Sequence, residues 1–355
     1  MSKIISVDYG RSTVKSVAGF GLEEQLLIPS VVSYDHQIVD TKAESTPATN
    51  LENNPLNFLK AKINGRELAV GKVAQDAEYN LNTTNYDDID DQKTNDLILT
   101  SIALLVGPTT SYTKINLITT LSVDQYNIKK DDFANRFEDK HFKIKLYDYL
   151  KGQYTTTKFY IDNVIVNRQG FSAFMHYILN QQGNIQTSKS DILDYTVGVI
   201  DLGKYSIDPF FCDSLDPISM RNETDRIPGM NKAFRNIQSR LIKEHDIRPQ
   251  LYKVQKNLEL NKEFRKNGQP IEITDILNSE YEQLAANTVG NIKNKLDMSL
   301  TEVDKWLICG GGANSGKLLA RLSNELEREL EVISEPRLAN ALGGLKIGQR
   351  QFREN

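Results

Sequence analysis

The sequence predicts an α/β protein built from two similar domains, and three observations carry that prediction. Strand-like apolar runs alternate with stretches of helical periodicity through most of the chain. One nine-residue motif occurs twice, each time behind a strand-like run: "VDYGRSTVK" at residues 7–15 and "IDLGKYSID" at residues 200–208. A length of 355 residues is enough for more than one core, and no short repeat of the solenoid kind is present.

The elements follow in order. The run Ile4-Ile5-Ser6-Val7 predicts a strand that turns at Asp8-Tyr9-Gly10 and returns through "STVKSVAGF" as a hairpin; "LLIPSVVSY" is further β material. Residues 36–57, rich in Thr, Asn, Pro and acid, are expected to form a long surface loop with no core of its own. "INGRELAVGKVAQDA" predicts a hairpin leading into a helix. The acidic stretch "NYDDIDDQKTND", residues 85–96, lacks the glycine and terminal glutamate of a calcium loop and is expected to be a solvated loop and helix start. "DLILTSIALLV" has helical spacing but is too short to span a bilayer, and "KINLITTLSV" fits a buried strand. "FKIKLYDYLKGQYTTTKFYIDNVIVN" reads as hairpin material turning at Gly152.

Farther along, residues 169–180 have the pattern of an amphipathic helix, and the strand "TVGVIDLG" follows. The pattern is helical from Pro228 to about Leu260, and "ITDILNSEYEQLAANTVGNIKNKL" predicts another long helix. "WLICGGG" is a strand running into a glycine turn, with "SGKLLARLSNELEREL" as the helix behind it. The last helix, "SEPRLANALGGLKIG", is expected to open at Pro336.

Composition excludes some functions. A formal net charge of −4 argues against a broad DNA-binding surface, so no direct nucleic-acid contact is expected. Residues 240–266 carry more bases than acids and offer one local face for a neighbouring subunit or an acidic adaptor. Two cysteines, Cys212 and Cys309, suggest no disulfide framework and favour a reducing cytoplasm. The first residues enter a strand-like run without a leader and the last are polar, so neither a targeting segment nor a membrane anchor is expected.

The stretch "GGGANSGKLL" resembles a P-loop, G-x-x-x-x-G-K from Gly311 to Lys317, but Leu318 stands where a magnesium-binding Ser or Thr belongs. The twice-used motif explains phosphate binding better. Both copies read apolar-Asp-x-Gly-basic-x-hydroxyl-apolar-charged, which pairs Asp8 with Asp201, Gly10 with Gly203 and Thr13 with Ser206. Glycine lets the backbone approach a polyphosphate; successive N–H groups and hydroxyls can then bind its oxygens. Lys15 adds positive charge. Asp8 and Asp201 are the carboxylates that could hold hydrated Mg²⁺, an ion that keeps most of its waters. The arrangement predicts two domains that each offer one phosphate loop across a cleft.

Five segments in this order resemble the actin, Hsp70 and sugar-kinase superfamily. "VDYGRSTVK" looks like its first phosphate loop, "RQGFSAFMHY" its first connector helix, and "IDLGKYSID" its second phosphate loop. "LICGGGA" looks like its adenosine loop and "EPRLANALGG" its second connector. The resemblance implies an actin-like ATPase fold, with residues 1–168 plus 337–355 as one α/β domain and 169–336 as the other, flanking a nucleotide cleft. It implies that Gly10, Ser12, Thr13, Lys15, Gly203, Lys204 and Tyr205 line the phosphates, and that Gly311, Gly312 and Ala313 pack against the adenosine. Gln169 stands where ATPases of this fold orient the attacking water, and Lys317 becomes an ordinary helix residue. Two departures stand out: bulky Lys204-Tyr205 in the second loop, and no proline in the first connector.

No appended peptide-binding domain and no membrane helix are expected, and with "LLIPSVVSY", a long loop and "NGRELAVGKVAQDA" the chain resembles the ParM-type plasmid-segregating actins. The implied cofactors are ATP, with GTP left open, and Mg²⁺. The implied partners are further copies of the chain in a head-to-tail filament, with residues 36–57 as a candidate contact, and a DNA-binding adaptor. A metabolic sugar or acid kinase of the same fold, an archaeal-type cytoskeletal actin, and a non-catalytic nucleotide-binding scaffold remain as alternatives.

Overall fold

A computed structural model describes residues 2–35, 37–46, 55–77, 81–82, 91–220 and 226–352. The chain divides into two compact units. Unit 1 comprises Met1–Arg168, Leu179–Asn184 and Asn340–Asn355, and unit 2 comprises Gln169–Ile178 and Ile185–Ala339.

Unit 1 is built on a ten-stranded sheet. Its strands in chain order are β1 (Lys3–Tyr9), β2 (Thr13–Val17), β3 (Gln25–Pro29), β4 (Val31–Ser33), β5 (Leu59–Ile63), β6 (Arg66–Val70), β7 (Leu81–Asn82), β8 (Thr113–Leu121), β9 (Lys140–Asp148) and β10 (Gln153–Arg168). The spatial order is β3-β2-β1-β8-β10-β9-β5-β6-β4-β7. β1, β8 and β10 are parallel, and their central residues (Ile5, Val7, Ile115, Leu117) are sealed from solvent, as strands covered on both faces must be. The β9–β10 hairpin turns at Gly152, as the sequence predicts.

Helix α1 (Gln37–Glu44) corrects one expectation. Part of the stretch read as a coreless loop is helical. Val39 packs with Ala69, Val73 and Ala74, and Ala43, at i+4 on the same face, is buried as well. Lys60 Nζ and the Tyr149 hydroxyl donate to Asp40 at 2.7 and 2.9 Å and pin the helix to the sheet. His36 and residues 47–54 of that stretch lie outside the described residues, as do residues 85–90 of the acidic stretch. Helices α2 (Asp91–Val106) and α3 (Val123–Asn135) complete this part of the unit.

Unit 2 begins with helix α4 (Phe171–Ile178), whose Phe171 ring packs edge-on against Phe210. Its sheet has β11 (Thr196–Leu202), β12 (Ser206–Asp213), β13 (Asp216–Pro217) and β14 (Ile227–Pro228), then β17 (Lys305–Cys309) and β18 (Glu331–Val332). The order is β13-β12-β11-β17-β18, with β14 also on β12. The expected continuous helical region is two helices, α5 (Met230–His245) and α6 (Leu251–Glu259). Asp246 ends α5 in a left-handed conformation, and Pro249 lies in the short break. A small hairpin that the sequence pattern concealed, β15 (Phe264–Lys266) with β16 (Gln269–Ile271), comes next. Helices α7 (Thr274–Lys295) and α8 (Gly316–Leu326) pack around the core containing Trp306 and Phe211.

Helix α9 (Ala339–Gln351) begins three residues after Pro336, which lies in the preceding turn rather than opening the helix. In unit 1, α9 lies close on the sheet. A Cβ on Gly344 would overlap Ser6 Oγ, and one on Gly348 would come 2.6 Å from Ile4 and Ile118. No helix among the described residues is long and apolar enough to cross a membrane.

Candidate functional site

The two D-x-G motifs occupy the same topological position in their units. In unit 1, β1 carries Asp8, pairs antiparallel with β2 on one side and parallel with β8 on the other. In unit 2, β11 carries Asp201, pairs antiparallel with β12 and parallel with β17. The sequence repeat is therefore a repeat of local fold.

The unit 1 turn is held from behind. Asp8 is fully buried; Lys15 Nζ donates to its Oδ2 at 2.6 Å and Thr120 Oγ1 to its Oδ1 at 2.7 Å. The turn itself is tight: the Gly10 N–H donates to the Asp8 carbonyl at 3.1 Å, and a Cβ on Gly10 would lie 2.8 Å from the Thr13 carbonyl. Ser30, from the β3–β4 junction, takes two carbonyls of the turn. Its hydroxyl donates to the Gly10 oxygen at 2.5 Å, and its N–H donates to the Ser12 oxygen at 3.0 Å. In a planar trans peptide the N–H points opposite to the C=O. The amides of Arg11 and Thr13 therefore point away from Ser30. Gly10, Ser12 and Thr13 are half-buried around them.

The unit 2 turn reaches the same result with different parts. The Gly203 N–H donates to the Asp201 carbonyl at 3.1 Å, and a Cβ on Gly203 would lie 2.5 Å from the Ser206 oxygen. Here the backing is the first turn of α5, which has no side-chain cap. The N–H groups of Met230, Asn231 and Gly229 donate to the carbonyls of Gly203, Lys204 and Tyr205 at 3.1, 2.7 and 3.1 Å. Helix-start donors that normally seek a cap are satisfied by the loop. The same peptide geometry turns the amides of Lys204 and Tyr205 away from the helix.

The turns differ in charge. Asp8 faces Lys15 across its hairpin, whereas Asp201 faces Asp208, whose carboxylate accepts from Ser206 Oγ at 2.7 Å. Two carboxylates directly opposite each other make the unit 2 turn the more negative of the two. Beside it, Lys204 is half-buried with its ammonium 5.6 Å from the Tyr205 ring centroid. Burial holds that ammonium below the usual lysine range; Glu259 opposes this and the Arg337 charge adds to it.

The glycine run after β17 sits against the same turn, and its first member has the role the sequence did not reveal. Gly310 has φ +84°, a conformation that side chains rarely adopt. A Cβ there would overlap Asp201 Oδ1 and lie 2.7 Å from the Leu202 carbonyl. Gly310 thus lets β17 turn directly over the second aspartate. Its N–H donates to the Pro336 carbonyl at 2.8 Å. Gly312 packs on Leu202 and Met230, and Ala313 enters the core; both are buried. Gly311 is exposed with open space where a Cβ would stand. Of the three residues expected to meet an adenosine, only Gly311 therefore presents itself to solvent. Lys317 is exposed on α8.

Gln169 is 9% exposed just before α4. The structure thus brings Asp8, Gly10, Ser12, Thr13 and Lys15 into one turn of unit 1. It gathers Asp201, Gly203, Lys204, Tyr205 and the glycine run around one turn of unit 2. Thr120, Ser30 and Gly310 escaped the sequence analysis because each acts through a partner distant in the chain. The only usable signal was that Gly310 opens the Gly-Gly-Gly run.

Comparison with known proteins adds the following. Residues 6–171 match the family model described as "Actin like proteins N terminal domain", and residues 199–321 match "Archaeal actin homologue MreB-like, C-terminal". The matched stretches contain both D-x-G turns, Gln169 and the glycine run. No curated protein matches the sequence significantly. Among solved structures, 99% of the chain aligns with 100% of the ParM chain from a 15-stranded Clostridium botulinum filament, at 20% identity and a TM-score of 0.71. With the actin-like protein Alp7A, 98% of the chain aligns with 96% of that protein at 16% identity and a TM-score of 0.74. With Ta0583, an archaeal actin homolog solved in complex with ADP, the coverage is 98% and 99%, the identity 16% and the TM-score 0.71. At these identities the likeness shows the fold, which is actin-like.

Proposed function

The chain belongs to the actin-like proteins, and from that premise we propose that it is an ATPase that polymerises into nucleotide-dependent filaments. One observation carries the proposal: each unit has a D-x-G turn whose carbonyls are held by Ser30 or by the start of α5, so that the following amides point away from those partners, as an anion-binding turn requires. Similarity to an ADP complex and to a ParM filament supports an adenine nucleotide and self-assembly.

In the proposed mechanism, the amides of Arg11 and Thr13 and the hydroxyls of Ser12 and Thr13 bind phosphate oxygens at the first turn. Lys15 carries positive charge toward them. The amides of Lys204 and Tyr205, with the Lys204 ammonium, do the same at the second turn. Asp8 already accepts bonds at both oxygens, so its remaining lone pairs suit metal-bound waters rather than direct ligation. Asp201, opposite Asp208, adds the negative charge that a hydrated cation requires. When bound, Mg²⁺ would neutralise charge on the β- and γ-phosphate oxygens. Gln169 orients the attacking water through its amide, which positions well but is a weak base. Gly311 offers an open backbone surface to the nucleoside.

The family likeness to ParM and Alp7A favours plasmid segregation through a DNA-binding adaptor as the biological use. Light scattering and sedimentation with Mg-ATP, Mg-GTP and Mg-ADP test assembly, and phosphate release tests hydrolysis. Triphosphate-dependent polymer is expected, with Asp201→Ala abolishing phosphate release. Transfer of phosphate to a sugar or acid without polymer would refute the proposal in favour of a metabolic kinase.

A further inference from the structure

The chain passes from unit 1 to unit 2 between Arg168 and Gln169. Gln169 is the residue proposed above to orient the attacking water. The segment "RQGFSAFMHY" holds no proline, so none of its residues has φ fixed by its own ring. The restraint on Gln169 comes instead from the residues before and after it.

Arg168 ends β10 and pairs with Leu121, the last residue of β8. One step back, Asn167 pairs with Thr120, which itself pairs with Asp8 of β1. Within unit 1, the end of β10 is therefore level with the first D-x-G turn. β8 runs on through Ser122 into α3, and the Arg168 side chain reaches the start of that helix. Its guanidinium stands over the Tyr126 ring, 4.3 Å from the centroid, and its Nη2 donates to Asn127 Oδ1 at 3.1 Å. Tyr126 in turn packs against the core of unit 1. A merely solvated strand-end arginine needs neither a ring to stack on nor a directed hydrogen bond, and the two together fix both the position and the direction of the planar fork. After Gln169, Gly170 has φ +78°, and a Cβ there would overlap Cβ of Phe210 in β12. The Gly170 carbonyl accepts from the Phe174 N–H at 2.8 Å and opens α4.

We propose that Arg168 is a positioning residue for Gln169. Stacked on Tyr126 and bonded to Asn127, it pins the peptide that leads into the glutamine, while the Gly170 turn holds the peptide that leaves it. This rests on the ATPase reading above and deepens it. An amide acts on water by orientation rather than basicity, so its effect depends on how firmly its backbone is held; a displacement of about 1 Å can cost about a hundredfold in rate.

The test uses the full chain with Mg-ATP and reads kcat and KM for phosphate release separately. Arg168→Ala should lower kcat about tenfold and leave KM within about twofold, because the grip on the nucleotide lies in the D-x-G turns. Tyr126→Leu, which removes the stacking ring and keeps apolar bulk, should act in the same direction. Arg168→Lys keeps a cation over the ring and should recover kcat to within about threefold of wild type. Lys130→Ala removes the other cation near Tyr126, 5.5 Å from its centroid, and should leave kcat within about twofold. In a Gln169→Ala background, Arg168→Ala should cost less than about twofold more, as for residues that act as a unit. Equal loss in both backgrounds, or wild-type kcat in R168A, overturns the proposal. Amide exchange gives a readout that needs no activity: R168A should speed exchange at Gln169 and Gly170 about tenfold and leave β11 and β17 unchanged. If the wild-type chain releases no phosphate, the ATPase reading falls on its own and exchange decides the clamp. Faster exchange at residues 169–170 then keeps Arg168 as the residue that holds Gln169, and unchanged exchange overturns it.

Discussion

Replacing Gly310 with Ala isolates the one backbone feature that joins the glycine run to the second aspartate. Two costs add. A non-glycine residue at φ +84° is strained by about 1–3 kcal/mol. The new methyl must also displace Asp201 and the Leu202 carbonyl, and forced overpacking costs about 1–3 kcal/mol. A total of about 4 kcal/mol follows from adding the middle of both ranges. Trp306 makes the assay clean. It is the only tryptophan in the chain, is 1% exposed, lies four residues before Gly310 and packs edge-on against Phe211. Its fluorescence therefore reports unit 2 alone. For a unit of roughly 165 residues, about 4 kcal/mol lowers the midpoint by about 8 to 16 °C. Gly311→Ala is the control: it enters open space and should shift the midpoint by less than about 2 °C, because exposed substitutions cost little. If Gly311 faces the nucleoside, the same change weakens ATP binding while the fold stays intact. A Gly310→Ala protein as stable as wild type would show that the close approach to Asp201 is not maintained in solution.

Three further outcomes follow from the charged groups. Lys15→Met breaks the ion pair of buried Asp8 while keeping the Thr120 hydrogen bond, and should destabilise unit 1 by about 2–4 kcal/mol, somewhat below the usual loss for a broken buried pair. Adding Asp8→Asn should recover most of that loss without restoring ATP hydrolysis, as read by hydrogen exchange in β1 and β8 and by phosphate release. Lys204 gives a pH signature. Its ammonium is held below the usual lysine range chiefly by burial, so the unfolded chain binds the extra proton and stability rises with pH up to the ordinary value of 10.5. Lys204→Met should flatten that rise in Trp306 melts without destabilising unit 2, and should weaken nucleotide binding about tenfold. Lys317→Ala should leave hydrolysis within about twofold of wild type, since its side chain is exposed on α8. A large loss would revive a P-loop role for "GGGANSGK".

Much of this molecule is determined locally and was therefore visible in the sequence. The hairpin at Gly152, the long α7 pattern and the strand-to-glycine turn at β17 depend on residues within a few positions of one another, through periodicity and turn chemistry. So does the repeated D-x-G turn, because Gly10 and Gly203 are required by contacts only three residues away. What the sequence could not show depends on meetings between distant segments. Residues 37–44 have a composition that reads as loop and become a helix because Val39 finds a surface on β6 and the turn after it, with Ala43 buried on the same face. Residues 179–184 belong to unit 1, where the Leu179 carbonyl accepts from Lys346 Nζ at 2.6 Å, a partner 167 residues away. The sequence by itself determined that two D-x-G turns exist and that their backbones must be glycine-tight. Only the tertiary structure decided which way their amides face, because that depends on Ser30 and the start of α5 taking the carbonyls from behind.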